Sequence, residues 1–167
     1  MMTLCCDLLK ALNGRTFATA ESCTAGGVGA AFTAVPGSSD VYKGGVICYT
    51  NWVKENVLGV KLSTLTEFGA VSEQTAKEMA IGVLRLMRST MAVSVTGIAG
   101  PGTDEFGTPV GTVYIGFADA NSNFARKYVF SGNRDDIRRL AVEAAIKMAS
   151  DSLLLLSPVT PRCGRKM

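Results

Sequence analysis

The feature that most constrains this chain is a repeated switch in apolar period. Residues 3–12 carry apolar side chains at helical spacing and stop at Asn13-Gly14, and a short strand-like run at 16–20 follows. The same switch recurs: an Ala- and Gly-rich helical stretch over 24–33, a turn at Pro36-Gly37-Ser38-Ser39, a strand over 41–50 and a short helix over 51–57. Residues 72–88 then read as an amphipathic helix. Ser72 is its cap, and Ala76, Met79, Ala80, Val83, Leu84 and Met87 form its apolar stripe. A strand at 91–96 runs into a Gly-rich loop over 97–111. Two strands, 112–118 and 124–130, meet around Asn121-Ser122-Asn123, and a long helix spans 134–155.

Strands separated by helices pair in parallel, whereas strands joined by a tight turn pair antiparallel. The pattern therefore predicts a three-layer α/β/α sandwich on a mixed, mostly parallel sheet. We expect one domain over 1–157, with 158–167 a flexible tail marked by Pro158 and Pro161. No apolar run approaches the roughly 20 residues a spanning helix needs, and no signal peptide is evident. The five cysteines form no Cys-x-x-Cys pair and read as free thiols of a reducing compartment, so a cytoplasmic location is expected. The formal charge is +3, and Arg162, Arg165 and Lys166 alone account for three positive charges. Nucleic-acid binding has no electrostatic footprint in such a chain.

Chemistry is constrained by a second feature: the chain has no histidine. Ser-His-Asp triads, Cys-His dyads and His-based zinc sites are excluded, so any hydrolysis must use another base. Four segments are candidates. Glu21-Ser22-Cys23-Thr24-Ala25-Gly26-Gly27 joins a strand to a helix at the sheet edge where ligands usually bind. There, backbone N–H groups can hold an anion, although Ser22 or Thr24 equally suits a helix cap. Tyr49-Thr50-Asn51-Trp52-Val53-Lys54 also follows a strand. Lys54 is either a solvated surface amine or, if buried, a neutral base able to activate a serine.

Thr96-Gly97-Ile98-Ala99-Gly100-Pro101-Gly102 lets the backbone wrap a ligand but matches neither a Walker loop nor GxGxxG. In Gly132-Asn133-Arg134-Asp135-Asp136-Ile137-Arg138, either Arg134 or Arg138 could clamp a phosphate, or both belong to a solvated helix start. Asp104 and Glu105 are better read as solvated loop residues than as metal ligands, and no metal is expected.

Taken in order, these segments resemble the CinA C-terminal domain family of nicotinamide-nucleotide amidohydrolases. The resemblance also rests on Gly44-Gly45-Val46-Ile47-Cys48-Tyr49-Thr50-Asn51, Leu58-Gly59-Val60, Gly69-Ala70-Val71-Ser72 and Pro109-Val110-Gly111-Thr112-Val113. It implies an α/β/α domain hydrolysing the carboxamide of nicotinamide mononucleotide, without a cofactor, through Ser22, Tyr49 and Lys54. Cys23, Thr24, Gly26, Thr96, Gly97, Gly100 and Gly102 would shape the nucleotide pocket, with Arg134 or Arg138 on the phosphate. The expected form is a stand-alone domain, a homo-oligomer whose partner is a small nucleotide, not a nucleic acid or membrane. The alternative is a non-catalytic nucleotide-binding or competence- and damage-associated module. Two departures stand out: the loop Thr103-Asp104-Glu105-Phe106-Gly107-Thr108-Pro109, and Ala25 where the family commonly has glycine.

Overall fold

The structure is a computed structural model and describes residues 1–155; the expected tail at 158–167 lies outside the described residues. In chain order the elements are α1 (Met2–Leu12), β1 (Phe17–Glu21), α2 (Gly27–Thr33), β2 (Tyr42–Ile47), α3 (Asn51–Asn56), α4 (Leu62–Phe68), α5 (Glu73–Leu86), β3 (Met91–Gly97), β4 (Thr112–Asp119), β5 (Asn123–Val129) and α6 (Arg134–Leu155). A single 3-10 turn, Ser38–Asp40, lies between α2 and β2.

The five strands form one sheet in the order β2-β1-β3-β4-β5. β1 pairs in parallel with both β2 and β3, while β3–β4 and β4–β5 are antiparallel. Four strands thus point one way and β4 alone is reversed, which gives the mixed, mostly parallel sheet of an α/β/α sandwich. The carboxyl ends of β1, β2 and β3 share one edge, and the start of α6 reaches that edge through Arg134.

Side chains alternate across each strand, so the two faces have separate cores. Phe17, Val93, Val95, Ile115 and Phe117 pack against α1, α2 and α6. Ala18, Ala20 and Ala92 pack against Met79 and Val83 of α5. The second face is built from small residues, which bring α5 close. A Cβ at Gly116 would strike the Ala76 carbonyl of α5 and lie 2.5 Å from Ser94 Oγ. The Ser94 hydroxyl itself donates to Ala76 O at 2.6 Å, so the polar atom under α5 is satisfied.

Three local expectations need correction. The helix expected over 24–33 begins only at Gly27, because residues 22–26 form a turn in which Ala25 and Gly26 have φ of 50° and 94°. The strand expected over 41–50 ends at Ile47. The helix Leu62–Phe68 was not anticipated; Glu78 of α5 anchors its start by accepting from Lys61 N–H at 2.8 Å and Thr64 Oγ1 at 2.9 Å, a tertiary contact. Ser72 does cap α5, accepting from Thr75 N–H. No helix among the described residues is long and apolar enough to cross a membrane.

Candidate active site

β1 delivers Ser22 to the carboxyl edge of the sheet, and the following turn is held from within by the residue before it. Glu21 is 2% exposed. Its carboxylate accepts from Thr24 Oγ1 at 2.8 Å, Val28 N–H at 2.9 Å and Gly29 N–H at 2.9 Å. Two orphan amides of α2 are satisfied by this one side chain, so Glu21 fastens the turn that begins at Ser22 to the helix behind it. Sequence reasoning had no role for Glu21. Its position next to Ser22, just ahead of a glycine-rich helix start, was the signal available.

β2 ends at Ile47, and Cys48 N–H donates to the Glu21 carbonyl at 2.8 Å, which draws the next segment to Ser22. Thr50 then caps α3, accepting from Val53 N–H at 3.4 Å. One turn into that helix, Lys54 points inward and is 2% exposed. Its Nζ lies within hydrogen-bond distance of Ser22 Oγ, 3.2 Å, and donates to Cys48 O at 2.9 Å. No ion pair involves Lys54 among the described residues.

Burial disfavours the ammonium, so the Lys54 pKa is lowered from its ordinary 10.5. The neighbouring Cys23 and Cys48 would oppose this only as thiolates. Burial pushes both up to about 11, so near neutral pH they are uncharged and leave the amine without a counter-ion. In its uncharged form, which burial favours, the amine lies 3.2 Å from the Ser22 hydroxyl, within reach of its proton.

The remaining candidates divide. Tyr49 is 57% exposed, and its hydroxyl accepts from Arg134 Nη2 at 3.4 Å; no hydrogen bond links it to Ser22 or Lys54. The Ser22–Lys54 contact is thus direct, with no phenol between. Arg134 also donates through Nη1 to the Gly100 carbonyl, so it ties the second and third motif segments at an exposed rim. Arg138 is used differently: Nε donates to Cys23 O at 3.1 Å and Nη2 to Thr24 O at 3.2 Å. The Thr24 hydroxyl donates to Glu21 and that of Thr96 to Ala70 O at 2.7 Å, so neither has a proton left to donate to a ligand in this arrangement.

Gly97 has no room for a side chain, since a Cβ would lie 2.7 Å from Val113 Cγ2; Gly100 has a φ of 91°, and Gly102 faces open space. Asp104 organises its own loop by accepting from Phe106 and Thr108 N–H groups. No cluster of three or more metal-ligating side chains occurs among the described residues.

Comparison with known proteins agrees with this geometry at the level of family. The family described as CinA C-terminal domain matches residues 1–153. A CinA-like protein of Endomicrobium trichonymphae is 50% identical over 142 residues, covering 85% of this chain and 33% of that protein. A putative competence-damage inducible protein of Caldanaerobacter subterraneus is 50% identical over 135 residues, again 33% of its length. The chain therefore spans about a third of these curated relatives. Among solved structures, the competence damage-inducible protein A of Klebsiella pneumoniae superposes with a TM-score of 0.89 at 34% identity, covering 92% of this chain and 96% of that one. A competence/damage inducible protein from Agrobacterium tumefaciens gives 0.87 at 39% identity, covering 92% and 94%. With nearly its whole length matched, the chain belongs to the CinA C-terminal domain family.

Proposed function

We propose that this domain hydrolyses the carboxamide of nicotinamide mononucleotide to nicotinate mononucleotide and ammonia, with Ser22 as nucleophile and Lys54 as base. The observation that carries the reading is the 3.2 Å approach of a buried, counter-ion-free amine to a serine hydroxyl at the sheet edge. The neutral Lys54 amine takes the Ser22 proton as Oγ adds to the amide carbon. The charge that develops on the amide oxygen meets backbone N–H groups of the 23–26 turn. The Lys54 ammonium returns its proton to the departing nitrogen, which leaves as ammonia. Water, deprotonated by the same amine, then adds to the acyl carbon, and the Lys54 ammonium gives that proton to Ser22 Oγ as the C–O bond breaks.

Arg134, exposed at the rim and only partly committed to Gly100 and Tyr49, is positioned to meet a phosphate. The pocket needs no cofactor in this scheme, and a cytoplasmic setting suits its free thiols. Ammonia release from nicotinamide mononucleotide tests the reading. Wild type should turn over; Ser22→Ala should bind the nucleotide and release nothing, and Lys54→Met should be nearly inactive. Near-normal ammonia release by Ser22→Ala would overturn it.

A second reading is a non-catalytic nucleotide-binding module; the names of the relatives bear only on its association with competence or damage. It predicts nucleotide binding by wild type with no ammonia release from any carboxamide nucleotide.

A further inference from the structure

Arg138 was one of two arginines considered for the substrate phosphate. Its donors go elsewhere: Nε and Nη2 fork across two successive carbonyls, those of Cys23 and Thr24, from 115 and 114 residues away in sequence. Those carbonyls belong to the turn that follows the nucleophile. In a trans peptide the N–H points opposite to the C=O. Holding the Cys23 carbonyl toward the guanidinium therefore turns the Thr24 N–H the other way.

Of the other amides, those of Ser22, Ala25 and Gly27 are committed, while Gly26 N–H, like those of Cys23 and Thr24, has no acceptor among the described residues. Ser22 N–H donates to Val95 O at 2.9 Å, Ala25 N–H to Ser22 O at 3.1 Å and Gly27 N–H to Thr24 O at 3.1 Å. Of the three without an acceptor, Cys23 N–H and Thr24 N–H directly follow the reactive serine.

We propose that Arg138 is a positioning residue, which aims the Thr24 N–H, together with Cys23 N–H, at the oxygen that becomes negative when Ser22 adds to an amide. The cation on the carbonyl side also polarises the Cys23–Thr24 peptide and makes its N–H a stronger donor. A guanidinium is suited to the task because its rigid planar fork meets two acceptors in a fixed geometry, whereas an ammonium is a point charge with freely rotating donors. The inference rests on the acyl-transfer reading of Ser22 but not on which amide is the substrate. Arg138 touches neither Ser22 Oγ nor Lys54 Nζ by hydrogen bond, so its effect passes through the backbone.

The test compares Arg138→Ala, Arg138→Gln and Arg138→Lys by two readouts. One is steady-state ammonia release from nicotinamide mononucleotide. The other is the rate at which a fluorophosphonate labels Ser22, which needs the nucleophile and oxyanion donors but no nucleotide. Deleting a whole oxyanion donor costs about 10²–10³ in kcat, and here a donor is misdirected rather than deleted. We expect Arg138→Ala and Arg138→Gln to lose ~10–100-fold in kcat, with KM within ~3-fold, and to slow labelling by a similar factor. Guanidinium added at millimolar concentration should restore part of the Arg138→Ala rate, and Arg138→Lys, which keeps the charge but not the fork, should fall in between.

A rise in KM with kcat retained would assign Arg138 to the phosphate and overturn the proposal, as would unchanged labelling in folded Arg138→Gln. If Arg138→Ala does not fold, the Arg138→Gln and Arg138→Lys comparison decides by the same criteria. Wild type that is labelled but releases no ammonia would defeat the nucleotide reading alone. Wild type that is neither labelled nor active would defeat both.

Discussion

Glu21→Gln is a one-atom change in chemistry at a buried site, and its cost can be worked from three hydrogen bonds. The carboxylate receives three donors: Oε2 accepts from Thr24 Oγ1 and Val28 N–H, and Oε1 from Gly29 N–H. Glutamine keeps the shape. Its best pose leaves the amide oxygen on the first two donors and sets its NH2 against the Gly29 N–H, donor facing donor. One charge-assisted bond is lost at roughly 1.5–3 kcal/mol, and the two that survive become neutral and weaker. The total comes to about 2–4 kcal/mol, or a melting temperature lower by ~5–15 °C for a domain of this size. Differential scanning fluorimetry with urea melts measures this. Glu21→Ala, which strands all three donors, should fall further still. If Glu21→Gln melts within about 2 °C of wild type, the carboxylate does not hold the turn as argued.

Four further outcomes follow from the structure. Because folding lowers the Lys54 pKa, the unfolded chain binds more protons between that value and 10.5, and wild-type stability rises with pH across this window. Lys54→Met lacks this rise, so urea melts at neutral pH and just below pH 9 should show any stability advantage of the mutant shrinking as pH rises; the Cys23 and Cys48 contributions run the opposite way and enter above pH 9. The pH–rate profile of wild type should rise through a group titrating below the ordinary lysine value. Ala25→Gly should be neutral or stabilising by up to about 1 kcal/mol, because Ala25 has φ of 50° and relief of that strain offsets the added chain entropy of glycine; a melting point more than about 3 °C lower would contradict it. Gly45→Ala should destabilise by about 1–3 kcal/mol, since its Cβ would overlap Thr19 Oγ1 and lie 2.7 Å from the Thr19 carbonyl oxygen; an unchanged urea midpoint would show that β2 shifts freely.

The layer architecture was legible because it depends on period. Alternating helix and strand patterns, followed by two strands on one short turn, leave few topologies, and the sheet order follows one of them. The helix at Leu62–Phe68 was not legible: its Lys61 cap position makes no side-chain cap bond, and Glu78, seventeen residues beyond Lys61, supplies the anchor. The delayed start of α2 was hidden for a related reason. Ala25 prefers a helix by propensity, but Glu21 captures the amides of Val28 and Gly29 and forces residues 22–26 into a turn. At the site, residue type left Ser22 and Lys54 with plain structural readings beside the catalytic ones, and only the family resemblance grouped them with Tyr49. Neither could separate the two arginines, which the folded chain sets before different partners: Arg134 meets Gly100 O and the Tyr49 hydroxyl, Arg138 the carbonyls of Cys23 and Thr24.

The burial of Lys54 explains why its helix can be so short. α3 has six residues, too few to be stable alone, and makes a weak scaffold for a precise contact. Its geometry is imposed from both ends instead. Cys48 N–H is bonded to Glu21 O ahead of it, and Val60 N–H is bonded to Lys54 O at 3.0 Å behind it. Lys54 Nζ is then held to Cys48 O within its own segment, so the amine keeps its place whether or not Ser22 carries an acyl group. Under the proposed acyl transfer, a base acting twice, first on the serine and then on water, requires an anchor independent of the serine. The Cys48 carbonyl supplies it without adding a negative charge that would keep the amine protonated.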